Sequence, residues 1–217
     1  MKLNRLESVL MNNPLRAWLQ RHVEAPRLLG MGGRADGLEC LEVGCGCGVG
    51  VEVILDRFGA AHVDAFDVDP RMVELARRRL GSRGAAIRLW CGDASRIEAP
   101  DRSYDAVFDF TILHHVPDWR LALREIHRVL RPGGRFYAEE VLARLIRAPL
   151  VRRLVVHPSK DRFGFSTFAS GLRECGFELA ASRDIGGVIG TFVARRPQEG
   201  SEFKGRREDG KTKRNSE

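Results

Sequence analysis

The segment Glu42-Val43-Gly44-Cys45-Gly46-Cys47-Gly48 sets three glycines at alternate positions directly after an apolar run, Leu38 to Val43. A loop leaving a strand must turn sharply and let a ligand touch its backbone, and glycine permits both. A dinucleotide fingerprint needs its third glycine at position 49, which is Val49, and no Lys-Ser/Thr pair follows to make a phosphate loop. What accompanies the glycines is acidic. Asp67 ends the next apolar run, where a carboxylate can accept two ribose hydroxyls. Asp93, in Gly92-Asp93-Ala94, ends the run after that and can accept from an adenine amino group. With Glu42 and Asp109 these carboxylates gather at one sheet edge, where they would repel a diphosphate and suit a cationic nucleoside without phosphate.

Elements must hold these residues in place. Strand-like runs at 38–43, 63–69, 86–90, within 105–113 and at 135–141 alternate with helical patterns, which predicts a parallel sheet flanked by helices. Asp69 is a fit N-cap and Pro70 suits a first turn. Met72, Val73, Ala76 and Leu80 then make one apolar stripe, and Gly81 is read as the stop. Asp118 can cap a second helix with an inner face of Trp119, Leu123, Ile126 and Leu130, and Pro132-Gly133-Gly134 turns it into the fifth strand. Runs near 177–182 and 187–194 predict an antiparallel edge hairpin.

Domain boundaries follow from composition. Residues 1–37 read as an amphipathic helical cap with Leu6, Val9, Leu10, Leu15, Trp18 and Leu19 as its apolar side. Residues 38–196 form the ligand-binding domain. Within it an insertion at 141–165 is apolar but studded with Arg144, Arg147, Arg152 and Arg153, and could fold as a lid. Residues 197–217 have one large apolar residue, Phe203, and read as a disordered charged tail.

At 217 residues and 43% hydrophobic content the chain can bury one core, and no apolar run is long enough for a spanning helix. Nor does the start read as a secretory signal, so a cytoplasmic product is expected, with membrane contact only peripheral, through the Arg-rich 141–158 stretch. Five cysteines, an odd number, are read as reduced, and the Cys45/Cys47 pair lacks partners for a metal site. A net charge of +7 permits nucleic-acid contact without demanding it, and a solvated basic surface is the plainer reading.

The ordered motifs LEVGCGCGVG, VDAFDVDPRMVELA, CGDAS, SYDAVFDFTILHHVPD and VLRPGGRFY resemble those of the class I S-adenosylmethionine-dependent methyltransferases, most nearly the type 11 group that includes ubiquinone/menaquinone-biosynthesis-like enzymes. The resemblance covers roughly residues 38–140. It implies a Rossmann-like seven-stranded sheet, mostly parallel with an antiparallel edge hairpin and helices on both faces, and S-adenosyl-L-methionine as co-substrate. Carried over by residue, Gly44, Gly46 and Gly48 would approach the methionine moiety, with Glu42 supporting their loop. Asp67 would take the ribose hydroxyls, Asp93 with Ala94 the adenine, and Asp109 and Phe110 would line the methionine and methyl end, with Val68 also among the cofactor-binding residues. No Asn/Asp-Pro-Pro-aromatic tetrapeptide follows strand four, which disfavours adenine methylation in nucleic acid.

Methyl transfer from a sulfonium is an in-line displacement that asks the protein for alignment and exclusion of water. A thiol, phenol or carbon nucleophile also needs a base. His115 and His114 are the candidates, His115 foremost because the second histidine is the more typical one in the resembling group; Tyr137 and Glu140 follow. The apolar N-terminal segment and the Arg-rich insertion suit a small hydrophobic or anionic acceptor. The competing readings are an RNA or protein methyltransferase, and a non-catalytic module that binds S-adenosylmethionine or a partner.

Overall fold

The computed structural model describes residues 13–146 and 162–198. Residues 147–161 of the insertion, the tail from 199, and Leu6, Val9 and Leu10 lie outside the described residues. The chain opens with α1 (Pro14–Leu19), a π-helical turn (Gln20–Glu24) and α2 (Ala25–Gly32). There follow β1 (Glu39–Val43), α3 (Val49–Val53) with a π-helical turn (Ile54–Phe58), β2 (His62–Asp67), α4 (Pro70–Leu80) and β3 (Ile87–Cys91). The second half comprises β4 (Tyr104–Phe110), α5 (Trp119–Val129), β5 (Leu130–Val141), α6 (Ala143–Ile146), α7 (Phe165–Glu174), β6 (Glu178–Ile185) and β7 (Ile189–Arg195).

The seven strands make one sheet in the order β3-β2-β1-β4-β5-β7-β6. β1 to β5 run parallel, while β7 is antiparallel to β5 and to β6, which is the expected edge hairpin. The order reverses between β1 and β4, so the loops leaving their carboxyl ends diverge and open a crevice between them.

Side chains alternate across the sheet, and each face carries its own core. Leu41, Val43, Val107, Phe136 and Ala138 pack with α5 and α7 through Trp119, Leu123, Ile126, Phe168 and Leu172. Cys40, Val63, Ala65, Phe108 and Tyr137 pack with Leu28, Val51, Ile54, Phe58, Ala76 and Leu80 from the N-terminal half. Glu139 and Glu140, adjacent in β5, therefore face opposite layers.

Capping follows the sequence closely. Asp69 accepts from the Arg71 N–H at the start of α4, and Asp118 accepts from the Leu121 N–H at the start of α5. Four expectations need correction. Gly81 is right-handed and leads into a 3₁₀ turn, with the positive φ deferred to Gly84. Leu130 opens β5 rather than ending α5. Leu15, Trp18 and Leu19 point outward, and the N-terminal segment buries Gln20, Glu24, Ala25 and Leu28 instead. Tyr137 is no cleft residue: its hydroxyl donates to the Gly32 and Gly33 carbonyls at 2.9 and 3.1 Å and pins α2 to the sheet.

Candidate active site

The crevice at the β1/β4 divergence holds two chambers that share Gly44, Asp67, Met72 and Ile112. The first, about 290 Å³, is walled by Phe66 to Asp69 at the end of β2, Gly92 to Ser95 after β3, and His115 to Asp118 after β4. Among the described residues its ionisable lining is acidic apart from His115, with no lysine or arginine. Asp67 binds two loops together, accepting from the Asp69 N–H at 2.9 Å and the Gly46 N–H at 3.0 Å, while burial pushes its pKa up. Asp93 accepts from the Ser95 N–H and hydroxyl at 2.8 and 2.7 Å, and these bonds hold its carboxyl below the ordinary value. A Cβ at Gly92 would stand 2.8 Å from the Trp90 indole nitrogen, so a side chain there would have to displace that ring.

The second chamber, about 280 Å³, lies under the N-terminal helices. Arg16, Gln20 and Arg21 form one side, Gly44 to Cys47, Val49 and Gly50 another, and Arg79, Phe110 and Ile112 complete it. Glu42 lies at its base, 2% exposed, with Oε2 lacking a hydrogen-bond partner. Burial raises its pKa well above the ordinary value, and the neighbouring Asp67 and Asp109 add to the rise. Any Cβ at Gly50 would overlap the Glu42 carboxylate, so this glycine lets β1 and α3 close around the acid.

Arg16 donates to Glu24 Oε1 at 2.7 Å and to Thr111 Oγ1 at 3.0 Å. Burial pushes the Glu24 carboxyl up to about 7, with Arg16 working against the rise. Thr111 has φ +64°, a left-handed backbone that a β-branched residue rarely adopts, and the strain sits where β4 turns into the cleft. Arg27 grips Glu139 through Nη1 at 2.7 and 2.9 Å, and Thr191 also donates to that carboxylate. Arg21 and Arg79 share Glu52, and Arg79 reaches the Cys47 thiol at 3.9 Å.

Among the predicted site residues, Val68, Asp93, Ala94 and His115 line the acidic chamber, Glu42, Gly46 and Phe110 the arginine chamber, and Gly44 and Asp67 both. Three are placed elsewhere. Gly48, at φ +87°, starts α3, and a Cβ there would press on Leu80 and the Ala76 backbone; its smallness serves helix packing. Asp109 is fully buried beneath the cleft floor and accepts from the Ile112 N–H at 2.9 Å, because alternation along β4 turns it away from Phe110. His114 turns inward too. Its Nδ1 lies 2.6 Å from Glu140, which also accepts the Leu113 and His114 N–H groups. Burial raises both Asp109 and Glu140; the neighbouring Glu140 adds to the rise at Asp109, whereas contact with Asp109 works against the rise at Glu140.

Sequence reasoning missed Arg16, Arg21, Arg79 and Gly50. Only Gly50 had a local signal, a glycine inside a helical pattern, which marks a close approach.

Residues 40–134 match the family model described as a methyltransferase domain. The chain is 37% identical over 118 residues to the malonyl-[acyl-carrier protein] O-methyltransferase of Serratia marcescens, covering 54% of this chain and 44% of that protein. It is 36% identical over 101 residues to the fatty-acid O-methyltransferase of Mycolicibacterium smegmatis, covering 46% and 36%. The chain thus spans less than half the length of these curated relatives. In fold it is similar to an S-adenosylmethionine-dependent methyltransferase of Aquifex aeolicus, with a TM-score of 0.69 at 18% identity over 90% of this chain and all of that one.

Proposed function

We propose, from the premise that this chain belongs to the class I S-adenosylmethionine-dependent methyltransferases of the type 11 group, that it methylates a small acceptor of hydrophobic or anionic character. The observation that carries this reading is the opposite charge of two chambers that meet at Gly44 and Ile112. A pocket walled by acids, with no lysine or arginine among its described lining residues, suits a phosphate-free nucleoside; an arginine-lined pocket beside it suits a different, electron-rich molecule.

The residues present fit the co-substrate. Asp67 would take the ribose hydroxyls with Val68 beside it, Asp93 and Ala94 the adenine side, and the Glu42 carboxyl, whose Oε2 lacks a partner, would face its cationic end across Gly44 and Gly46. When bound, S-adenosylmethionine supplies a methyl group already activated by the positive sulfur. What the chain adds is alignment and dryness: Ile112 stands at the junction, Phe110 and Val49 wall the arginine chamber beside it, and α1 with the turn after it covers that chamber. His115 lines the acidic chamber and His114 is locked on Glu140, so neither histidine reaches the arginine chamber as a base. Two relatives are named O-methyltransferases, which supports an oxygen acceptor.

The test is transfer of label from methyl-tritiated S-adenosylmethionine to a panel of aliphatic acids, phenols and thiols. Wild type should label one class, and Asp67→Ala should lower that labelling about 100-fold, the scale of a lost charge-assisted bond pair. Tight S-adenosylhomocysteine binding with no acceptor labelled would mean a binding module rather than an enzyme.

A further inference from the structure

Resting on that reading, we infer that the acceptor's nucleophile is a carboxylate, and that Arg16 is the residue that recognises it. The arginine chamber holds three guanidinium groups, and Arg16 is the most enclosed, its side chain 15% exposed. Its Nη1 and Nη2 each make one described bond, to Glu24 and Thr111, which fixes the planar fork and leaves further N–H groups for an anion. Phe110, Ile112 and Pro14 give the same chamber an apolar wall for a hydrocarbon chain.

What the chamber lacks points the same way. Among the described residues that line it there is no histidine, lysine or tyrosine. Its two carboxylates, Glu42 and Asp67, belong to the co-substrate side, and burial keeps the Cys45 thiol protonated. A phenol, thiol or carbon acid would have to lose a proton, and the two carboxylates able to take it are committed to the co-substrate on this reading. A carboxylate is already ionised at neutral pH. In the transfer a carboxylate oxygen forms a bond to the methyl carbon as the carbon–sulfur bond breaks. The bonding pair stays on sulfur, which becomes a neutral thioether, and the acceptor becomes a methyl ester. No proton moves.

The test separates this inference from the co-substrate reading by forming the S-adenosylhomocysteine complex first and measuring its affinity by calorimetry. Octanoate and octanamide, alike in shape and different in charge, are then titrated into that complex. The expected result is octanoate preferred by at least about tenfold, with the preference lost in Arg16→Gln and S-adenosylhomocysteine affinity unchanged. Because Arg16→Gln strands Glu24, the double variant Arg16→Gln/Glu24→Gln is measured beside it and should lose the preference equally. Equal binding of the two probes to wild type overturns the inference, as does a preference that survives in the double variant. Failure of S-adenosylhomocysteine to bind at all overturns the co-substrate reading instead.

Discussion

Asp67 apart, which also reaches Gly46, the acidic chamber takes its acidic walls from residues that cap their own neighbours: Asp93 holds Ser95, Asp69 holds Arg71 and Asp118 holds Leu121, each within three residues. Across Gly44 and Ile112 the arginine chamber is assembled at long range. Arg16 meets Thr111 over a sequence separation of 95, and beside it Arg27 meets Glu139 over 112. The first chamber is therefore set once the sheet forms, whereas the second exists only when α1 and α2 dock on it. On the reading proposed above, a nucleoside site built locally beside a separately assembled acceptor site would let one change without the other.

The largest expected effect is at the partition itself. Gly44→Ala would put a Cβ 2.6 Å from the Ile112 side chain at a φ of +73°, and should weaken S-adenosylhomocysteine binding about 100-fold by calorimetry. Gly48→Ala serves as its control: it should lower Tm through contact with Ala76 and Leu80 yet leave that affinity within about threefold. Equal losses of affinity in both would mean that the loop acts as one unit.

Next comes the anchoring of the arginine chamber. Below pH 4.5 the Glu24 carboxyl is protonated in both folded and unfolded chains. Between 4.5 and about 7 only the unfolded chain loses the proton, so stability falls as pH rises through that window and levels off above it. The fall attributable to Glu24 is about 3 kcal/mol, and denaturant titrations of Glu24→Gln should show a shallower decline by that order. Identical slopes in wild type and variant would show that Glu24 is solvated and the helices undocked.

Smaller effects belong to the acidic chamber. Asp93→Asn should weaken S-adenosylhomocysteine binding about three- to tenfold, the value of one charge-assisted bond exchanged for a neutral one. Asp118→Asn should change it by less than about twofold, since asparagine caps α5 as well as aspartate does. A reversed order would place the adenine beside α5 instead of after β3.

The difference between the chambers also governs what could be read from sequence. Asp67, Asp93 and the caps Asp69 and Asp118 were legible because a strand end, a turn and an N-cap are local events. Asp109 was misjudged for a reason the sequence does contain: the period of two in β4 sets it on the Val107 face, under the floor, while Phe110 takes the opposite side. The same period divides Glu139 from Glu140. Arg16 was not legible, since nothing near it in sequence resembles Thr111 or Glu24 in a buried layer. Three alternating glycines look alike as letters, yet Gly44 partitions the cleft, Gly46 donates to Asp67 and Gly48 yields to Leu80, distinctions that only packing supplies.

The most direct test of the division into an acid-walled nucleoside chamber and an arginine chamber is thermal unfolding of the wild type with S-adenosylhomocysteine and, separately, with NAD. At a hundredfold excess over its dissociation constant a ligand adds about 2.7 kcal/mol, a shift of about 5–10 °C for a domain of this size. The acidic walls predict that shift with S-adenosylhomocysteine and none with NAD, whose diphosphate the four aspartates Asp67, Asp69, Asp93 and Asp118 repel. A shift with NAD alone would contradict the division and return the glycine loop to a dinucleotide role.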